Sequence, residues 1–137
     1  MKLCSACLLG INCRFRGDNK LNEKVVELAK KGELIPVCPE QMGGLATPRD
    51  QTEVINGRMV TVEGEDQTEM YLKGAKEVLR LAKLLNIKEA IFKQKSPSCG
   101  CGKIYDGTFS GNLIDGDGIA TKLLKENGIK VISEDEL

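Results

Sequence analysis

Short solid apolar runs alternate along the chain with segments whose apolar residues recur at helical spacing. Lys2-Leu3-Cys4-Ser5, Leu34-Ile35-Pro36-Val37-Cys38, Glu89-Ala90-Ile91-Phe92-Lys93 and Ile129-Lys130-Val131-Ile132 have the length and density of buried strands. Between the first two, Leu21, Val25, Leu28 and Ala29 predict a helix over 21–31, with Asn19 or Asn22 as its cap and Gly32 as its stop. Met70, Ala75, Val78, Leu79, Ala82 and Leu85 predict a longer helix over about 66–85. A last helix over 119–126 is expected between Asp117, read as its N-cap, and Gly128. Asn56-Gly57 between two β-prone runs, 53–55 and 58–62, is the signature of a two-residue hairpin.

The resulting order is strand, helix, strand, hairpin, helix, strand, helix, strand. It predicts an α/β fold in one domain, residues 1–137: a mostly parallel sheet of about four strands with covering helices in Rossmann-like layers, plus a β-hairpin insertion. In open sheets of this class a ligand lies beyond the carboxyl ends of the strands. Cys7 follows the first strand, Cys38 ends the second, Cys99 follows the third and Glu134 follows the fourth. Residues scattered over the chain are thereby expected at one sheet edge. The stretch Lys93-Gln94-Lys95-Ser96-Pro97-Ser98-Cys99-Gly100-Cys101 concentrates thiols, hydroxyls and lysines there, with turns at Pro97 and Gly100.

Composition narrows the chemistry. Twenty basic and 20 acidic residues cancel, so no global attraction to nucleic acid or an anionic membrane is expected, and 4% aromatics argue against stacking on several bases. No apolar run approaches the ~20 residues that cross a bilayer, and the N-terminal residues lack the apolar core of a signal peptide. A cytoplasmic location is the expectation. The absence of histidine excludes serine–histidine and cysteine–histidine nucleophiles and histidine-ligated metals. Six cysteines in such a chain point to metal or reactive thiols rather than disulfides.

The cysteines admit several readings. As small core hydrophobes they would sit inside strands; that suits Cys4, and Cys13 also fits it better than the others do. Cys4-x2-Cys7 with Cys99-x-Cys101 offers four thiolates for structural zinc, but the second pair is tightly spaced and Cys38 stays idle. A dithiol redox pair is disfavoured because Cys4-x2-Cys7 precedes a loop instead of opening a helix. The remaining reading is an iron–sulfur cluster held by three cysteines from separate loops, which leaves one iron open to a soft ligand.

Four motifs carry a family resemblance. They are Cys7-Leu8-Leu9-Gly10-x2-Cys13-Arg14-Phe15, Val37-Cys38-Pro39-Glu40-x2-Gly43-Gly44-Leu45-x2-Pro48-Arg49, Lys95-Ser96-Pro97-Ser98-Cys99-Gly100 and Tyr105-Asp106-Gly107-Thr108-Phe109. Together they resemble the small bacterial family that includes the thiouracil desulfurases, over nearly the whole chain. The resemblance implies an α/β fold, an oxygen-sensitive [4Fe-4S] cluster on Cys7, Cys38 and Cys99, and removal of sulfur from a thiolated pyrimidine such as 2-thiouracil with release of sulfide. The partner expected is a small-molecule thiolated base or nucleoside; a homodimer is a further expectation. A non-catalytic iron–sulfur or sulfur-carrier module and a zinc-stabilised interaction domain are the competing readings. Cys101 lies outside the motif and stands as an alternative ligand or a sulfur acceptor.

Attack of water on the thiocarbonyl carbon needs a general base, and without histidine the candidates are carboxylates and lysines. Glu40, two residues from Cys38, is the first choice and Glu134 the second; the plainer role for Glu40 is an ion pair with Arg49 or Arg14. Ser98 and Ser96 are candidates to donate hydrogen bonds to the base or to cluster sulfur, their plainer role being that of turn serines. Tyr105 and Phe109 are expected to pack more than to cover a pocket.

Overall fold

The structure is a computed structural model that describes residues 1–137. Strands β1 (Lys2–Ser5), β2 (Leu34–Val37), β5 (Glu89–Phe92) and β8 (Lys130–Ser133) form one four-stranded sheet in the order β2-β1-β5-β8, parallel throughout. Chain connections leave β1 towards β2 on one side and return to β5 on the other, so the sheet's switch point lies between β1 and β5. Pro36, which cannot donate to a ladder, is confined to β2 at the sheet edge.

Alternation along the strands separates two cores. Leu3, Ala90, Phe92 and Val131 face helices α3 (Thr68–Leu84) and α4 (Ile119–Glu126), packing on Val78, Ala82, Ala120 and Leu124. Cys4 and Ile91 face the opposite side, where Val25 of helix α1 (Glu23–Lys30) and Leu8 complete the packing. The architecture is thus three layers of helix, sheet and helix, as the alternation of elements predicts. Asn22 caps α1, accepting the amides of Lys24 and Val25. Strands β3 (Thr52–Ile55) and β4 (Arg58–Thr61) form the expected hairpin, with Asn56 (φ 50°) and Gly57 (φ 76°) both left-handed at its turn. No helix is long and apolar enough to cross a membrane.

Three features depart from expectation. The glycines and proline of 41–49 make an irregular loop the expectation there, but a one-turn helix α2 (Pro39–Met42) runs into it, started by the proline at its first position. The run 100–118 contains a second hairpin, β6 (Lys103–Tyr105) with β7 (Leu113–Asp115). Asp117 does not cap α4: Gly118 is the N-cap, while Asp117 accepts the Gly102 amide at 2.9 Å and pairs with Lys125 at 3.0 Å.

Helix α2 sits backbone-to-backbone on α3. A Cβ on Gly43 would lie 2.0 Å from the Met70 carbonyl oxygen, and one on Gly74 would lie 1.9 Å from that of Pro39. Replacing an exposed mid-helix glycine by alanine stabilises a helix by about 1 kcal/mol. In Gly74→Ala the clash reverses the sign: a loss of about 2 kcal/mol or more is expected in urea unfolding. An unchanged or raised midpoint would show that α2 moves freely.

Candidate active site

Beyond the carboxyl ends of the sheet strands, at the switch point, lies a cavity of about 510 Å³. Cys7, Cys13, Cys38 and Cys99 line it, together with Glu40, Arg49, Tyr71, Ser96, Tyr105 and Glu134. Each sulfur is delivered by a different local device. Cys7 lies in the single 3₁₀ turn Ala6–Leu9 that continues β1, and Cys38 is the N-cap of α2 at the end of β2. Cys99 follows β5 through the 93–98 turn, where the Ser96 Oγ accepts the amides of Ser98 at 3.1 Å and Cys99 at 3.0 Å. Thr121 Oγ1 donates to the Cys99 carbonyl at 2.9 Å, and the glycine at 118 lets the start of α4 approach: a Cβ there would meet the Ser98 carbonyl oxygen at 2.4 Å.

Cys13 is a buried member of the α1-side core, as its reading as a small core hydrophobe predicts, and it lines the cavity as well. There it stands among the other three sulfurs, and its carbonyl accepts from Arg49 Nη2 at 2.9 Å and from Cys38 Sγ at 3.8 Å. Its position six residues after Cys7, beside Arg14, was the signal available in the chain. Cys4 and Cys101 lie elsewhere. Cys4 belongs to the α1-side core, where burial pushes its thiol up to about 12, and Cys101 belongs to the α3–α4 core with Sγ on the Val131 carbonyl at 3.4 Å. The zinc set of Cys4, Cys7, Cys99 and Cys101 is therefore not assembled.

The thiols resist ionisation in one another's company. Contact with Cys13, then burial and the nearby Glu40 charge, drives the Cys38 thiol strongly upward. Burial and the Glu40 charge raise Cys99, against a lowering hydrogen bond with Ser5. The Cys38 contact pulls Cys13 down, but Cys7, burial and charge carry it up to about 11. Bringing these sulfurs to the thiolate state requires compensating positive charge, which a metal centre supplies. No three cysteine, aspartate or glutamate side chains converge where a single metal ion would sit. Soft donors spaced around a void suit a larger inorganic group bound through several of its metal atoms.

The two candidate carboxylates differ. Both oxygens of Glu134 are engaged, Oε1 by the Gln94 amide at 2.8 Å and Oε2 by Lys93 Nζ at 3.1 Å. Glu40 carries the expected ion pair, Oε2 to Arg49 Nη2 at 2.9 Å with Arg49 only 5% exposed, yet its Oε1 is buried without any hydrogen-bond partner. An orphaned buried acceptor on a cavity wall is costly unless a ligand or water completes it. Ser98 is fully buried and not in the cavity lining; Ser96 is the hydroxyl that lines it. Tyr71, raised to about 12 by burial and the Glu40 charge, closes the wall beside the ion pair.

The model of the family described as 2-thiouracil desulfurase matches residues 3–136. The chain belongs to that family. Within it, the chain is 45% identical to the uncharacterized protein YbbK of Bacillus subtilis (strain 168), over all of this chain and 97% of that one. The solved structure of a [4Fe-4S]-dependent thiouracil desulfidase, TudS, superposes with a TM-score of 0.95 at 40% identity, covering 99% of this chain and 91% of that one. The α/β layers expected of a desulfurase-family chain are therefore those observed.

Removing one partner of a buried ion pair strands the other, at about 3–5 kcal/mol. Arg49→Met is expected to lower the stability of reduced, metal-free protein by about 3 kcal/mol or more in urea unfolding. Arg49→Lys is expected to fall between the two, because an ammonium lacks the planar fork that reaches several acceptors at once. Equal midpoints for all three proteins would mean that water, not Arg49, solvates Glu40.

Proposed function

We propose that the chain is a desulfurase that removes sulfur from a thiolated pyrimidine base or its nucleoside, using a [4Fe-4S] cluster held by Cys7, Cys38 and Cys99. The observation that carries this reading is a single cavity walled by four cysteine side chains and by a carboxylate whose one oxygen lacks a partner. Membership of the 2-thiouracil desulfurase family and the 40% identity to the [4Fe-4S]-dependent TudS support it. Cys7, Cys38 and Cys99 are preferred as ligands over Cys13 because each follows directly on a sheet strand or a hydrogen-bonded turn that fixes it.

The cluster, when bound, supplies a Lewis-acidic iron with affinity for the thiocarbonyl sulfur. The remaining work falls to the chain. The net change is hydrolytic: a C–S bond is replaced by a C–O bond, water provides the oxygen, and its protons leave with sulfide, so no oxidant or reductant is consumed. Glu40 Oε1 is the acceptor available for the proton of the attacking water, while Arg49 holds Oε2 and fixes the direction of the carboxylate. Ser96 Oγ already accepts two amides, so its lone pairs are taken and its O–H proton is left to donate into the cavity that it lines. Glu134, with both oxygens committed, holds Lys93 and the 93–94 backbone in place and is a wall residue. We place the reaction in the cytoplasm, since six free thiols and an oxygen-sensitive group require a reducing compartment.

Anaerobic protein incubated with 2-thiouracil is expected to release sulfide and form uracil in equal amounts. Absence of both, with full iron and sulfide content, would overturn the reading. Cys7→Ser, Cys38→Ser and Cys99→Ala are each expected to lose the visible absorbance and iron, whereas Cys13→Ser keeps them; retention of iron in Cys99→Ala would displace that residue from the ligand set. Glu40→Gln is expected to keep its iron and lose roughly 10²–10⁴-fold in kcat, the range for a positioned general base. An unchanged kcat would remove Glu40 from the mechanism.

A further inference from the structure

One buried carboxylate has no part in the chemistry above. Glu53, in β3, is 2% exposed, and its Oε1 accepts the amides of Gly107 at 3.0 Å and Phe109 at 3.1 Å. Its Oε2 meets Gln51 Nε2 at 3.4 Å. Gly107 and Phe109 belong to the connection between β6 and β7, more than 50 residues further along the chain. The connection lies directly on β3: Gly107 has φ +93°, and a Cβ there would fall 2.9 Å from the Val54 carbonyl oxygen. Phe109, which is not glycine, is held at φ 55°. Hydrogen bonds from backbone amides to a buried carboxylate are roughly twice as strong as neutral ones, so this is a firm clamp on a loop of otherwise strained backbone.

The strand that runs into that connection reaches the cavity. Tyr105, the last residue of β6, lines it. Lys103 in the same strand accepts the Lys95 amide at 3.1 Å, and Ile104 bridges to Lys95. Lys95 is itself in the left-handed region, φ 74°, immediately before Ser96, a conformation that is unfavourable for a non-glycine residue and needs its neighbours to hold it. Glu53 therefore clamps a connection whose incoming strand, β6, carries one residue of the cavity wall, Tyr105, and backs the turn that carries another, Ser96.

We infer that Glu53 is a positioning residue for substrate: by clamping the 106–109 backbone onto β3 it holds Tyr105 and the Lys95-Ser96 turn in the orientation that receives the thiolated base, a role that presupposes the desulfuration proposed above. Glu53 touches no reacting atom. It acts on binding, while the direction of the Glu40 carboxylate is held by Arg49.

The test uses cluster-loaded wild type, Glu53→Ala, Glu53→Gln and Tyr105→Ala with 2-thiouracil, following sulfide release, iron content and amide hydrogen exchange over residues 103–115. In Glu53→Ala, KM is expected to rise about tenfold or more with kcat within about threefold, the signature of lost binding rather than lost transition-state contact. Iron content stays at the wild-type level while the Gly107 and Phe109 amides exchange faster. Glu53→Gln, whose amide oxygen accepts both N–H groups, is expected to restore KM and protection to near wild type. Tyr105→Ala reproduces the raised KM with hairpin protection intact, and it carries the test by itself if Glu53→Ala does not fold. The proposal is overturned if kcat falls while KM holds, if Glu53→Gln behaves as the alanine variant, or if Tyr105→Ala leaves KM unchanged. A wild type that releases no sulfide sinks the functional reading instead, and exchange at Gly107 and Phe109 then still decides the clamp: unaltered protection in Glu53→Ala removes it.

Discussion

The buried guanidinium of Arg49 is the tie on which the cavity's geometry rests. It reaches Glu40 and the Cys13 carbonyl through one nitrogen, and Thr47 Oγ1 and the Ala46 carbonyl through another, while its own amide binds the Phe15 carbonyl at 2.8 Å. Three segments that share no regular hydrogen-bond ladder are thereby held in register: α2 with Glu40, the loop that carries Cys13, and the 46–49 connection. A planar, permanently charged fork can do this; a single ammonium cannot. The charge also offsets a carboxylate that would otherwise stand alone beside several thiols. Electrostatics and positioning are here the same contact.

Glycine provides the complementary constraint. Around the sulfurs the chain is fixed by main-chain contact with the helices behind the sheet. Gly43 and Gly74 bring α2 down on α3, and Gly118 brings the start of α4 onto the Cys99 turn. The backbone that carries the cavity's sulfurs is thus referred to the packed helix layer behind the sheet.

How much of this was legible in the chain depends on the scale of the feature. The four strands, the three long helices and the Asn-Gly hairpin follow from apolar spacing and turn residues, and with them the convergence of Cys7, Cys38, Cys99 and Glu134 on one sheet edge. Short elements did not: α2 is a single turn whose proline and glycines read as loop, and β6–β7 is built from mostly exposed residues in a glycine-rich run. The choice of hydroxyl was equally hidden. Ser96 and Ser98 stand two residues apart in one turn, and only the folding of the Ser96 side chain onto two amides, with Ser98 turned into the interior, separates them. Cys13 is the core residue its reading made it, but its second place, in the cavity wall, is made by tertiary contacts to Arg49 and Cys38 that no local pattern records.

The distribution of the sulfurs along the chain has a consequence for biogenesis. Cys7, Cys38 and Cys99 meet only after β5 has inserted beside β1 and the turn after it has docked on α4, late in the order in which the polypeptide emerges from the ribosome. The sulfurs belong to the two apolar cores themselves, Cys99 to the α3–α4 side and Cys7 and Cys13 to the α1 side. A nascent or misfolded chain accordingly presents scattered thiols and no site, whereas a completed one presents the full set at once. A cofactor of the kind proposed above would therefore meet a finished receptor and not a growing chain.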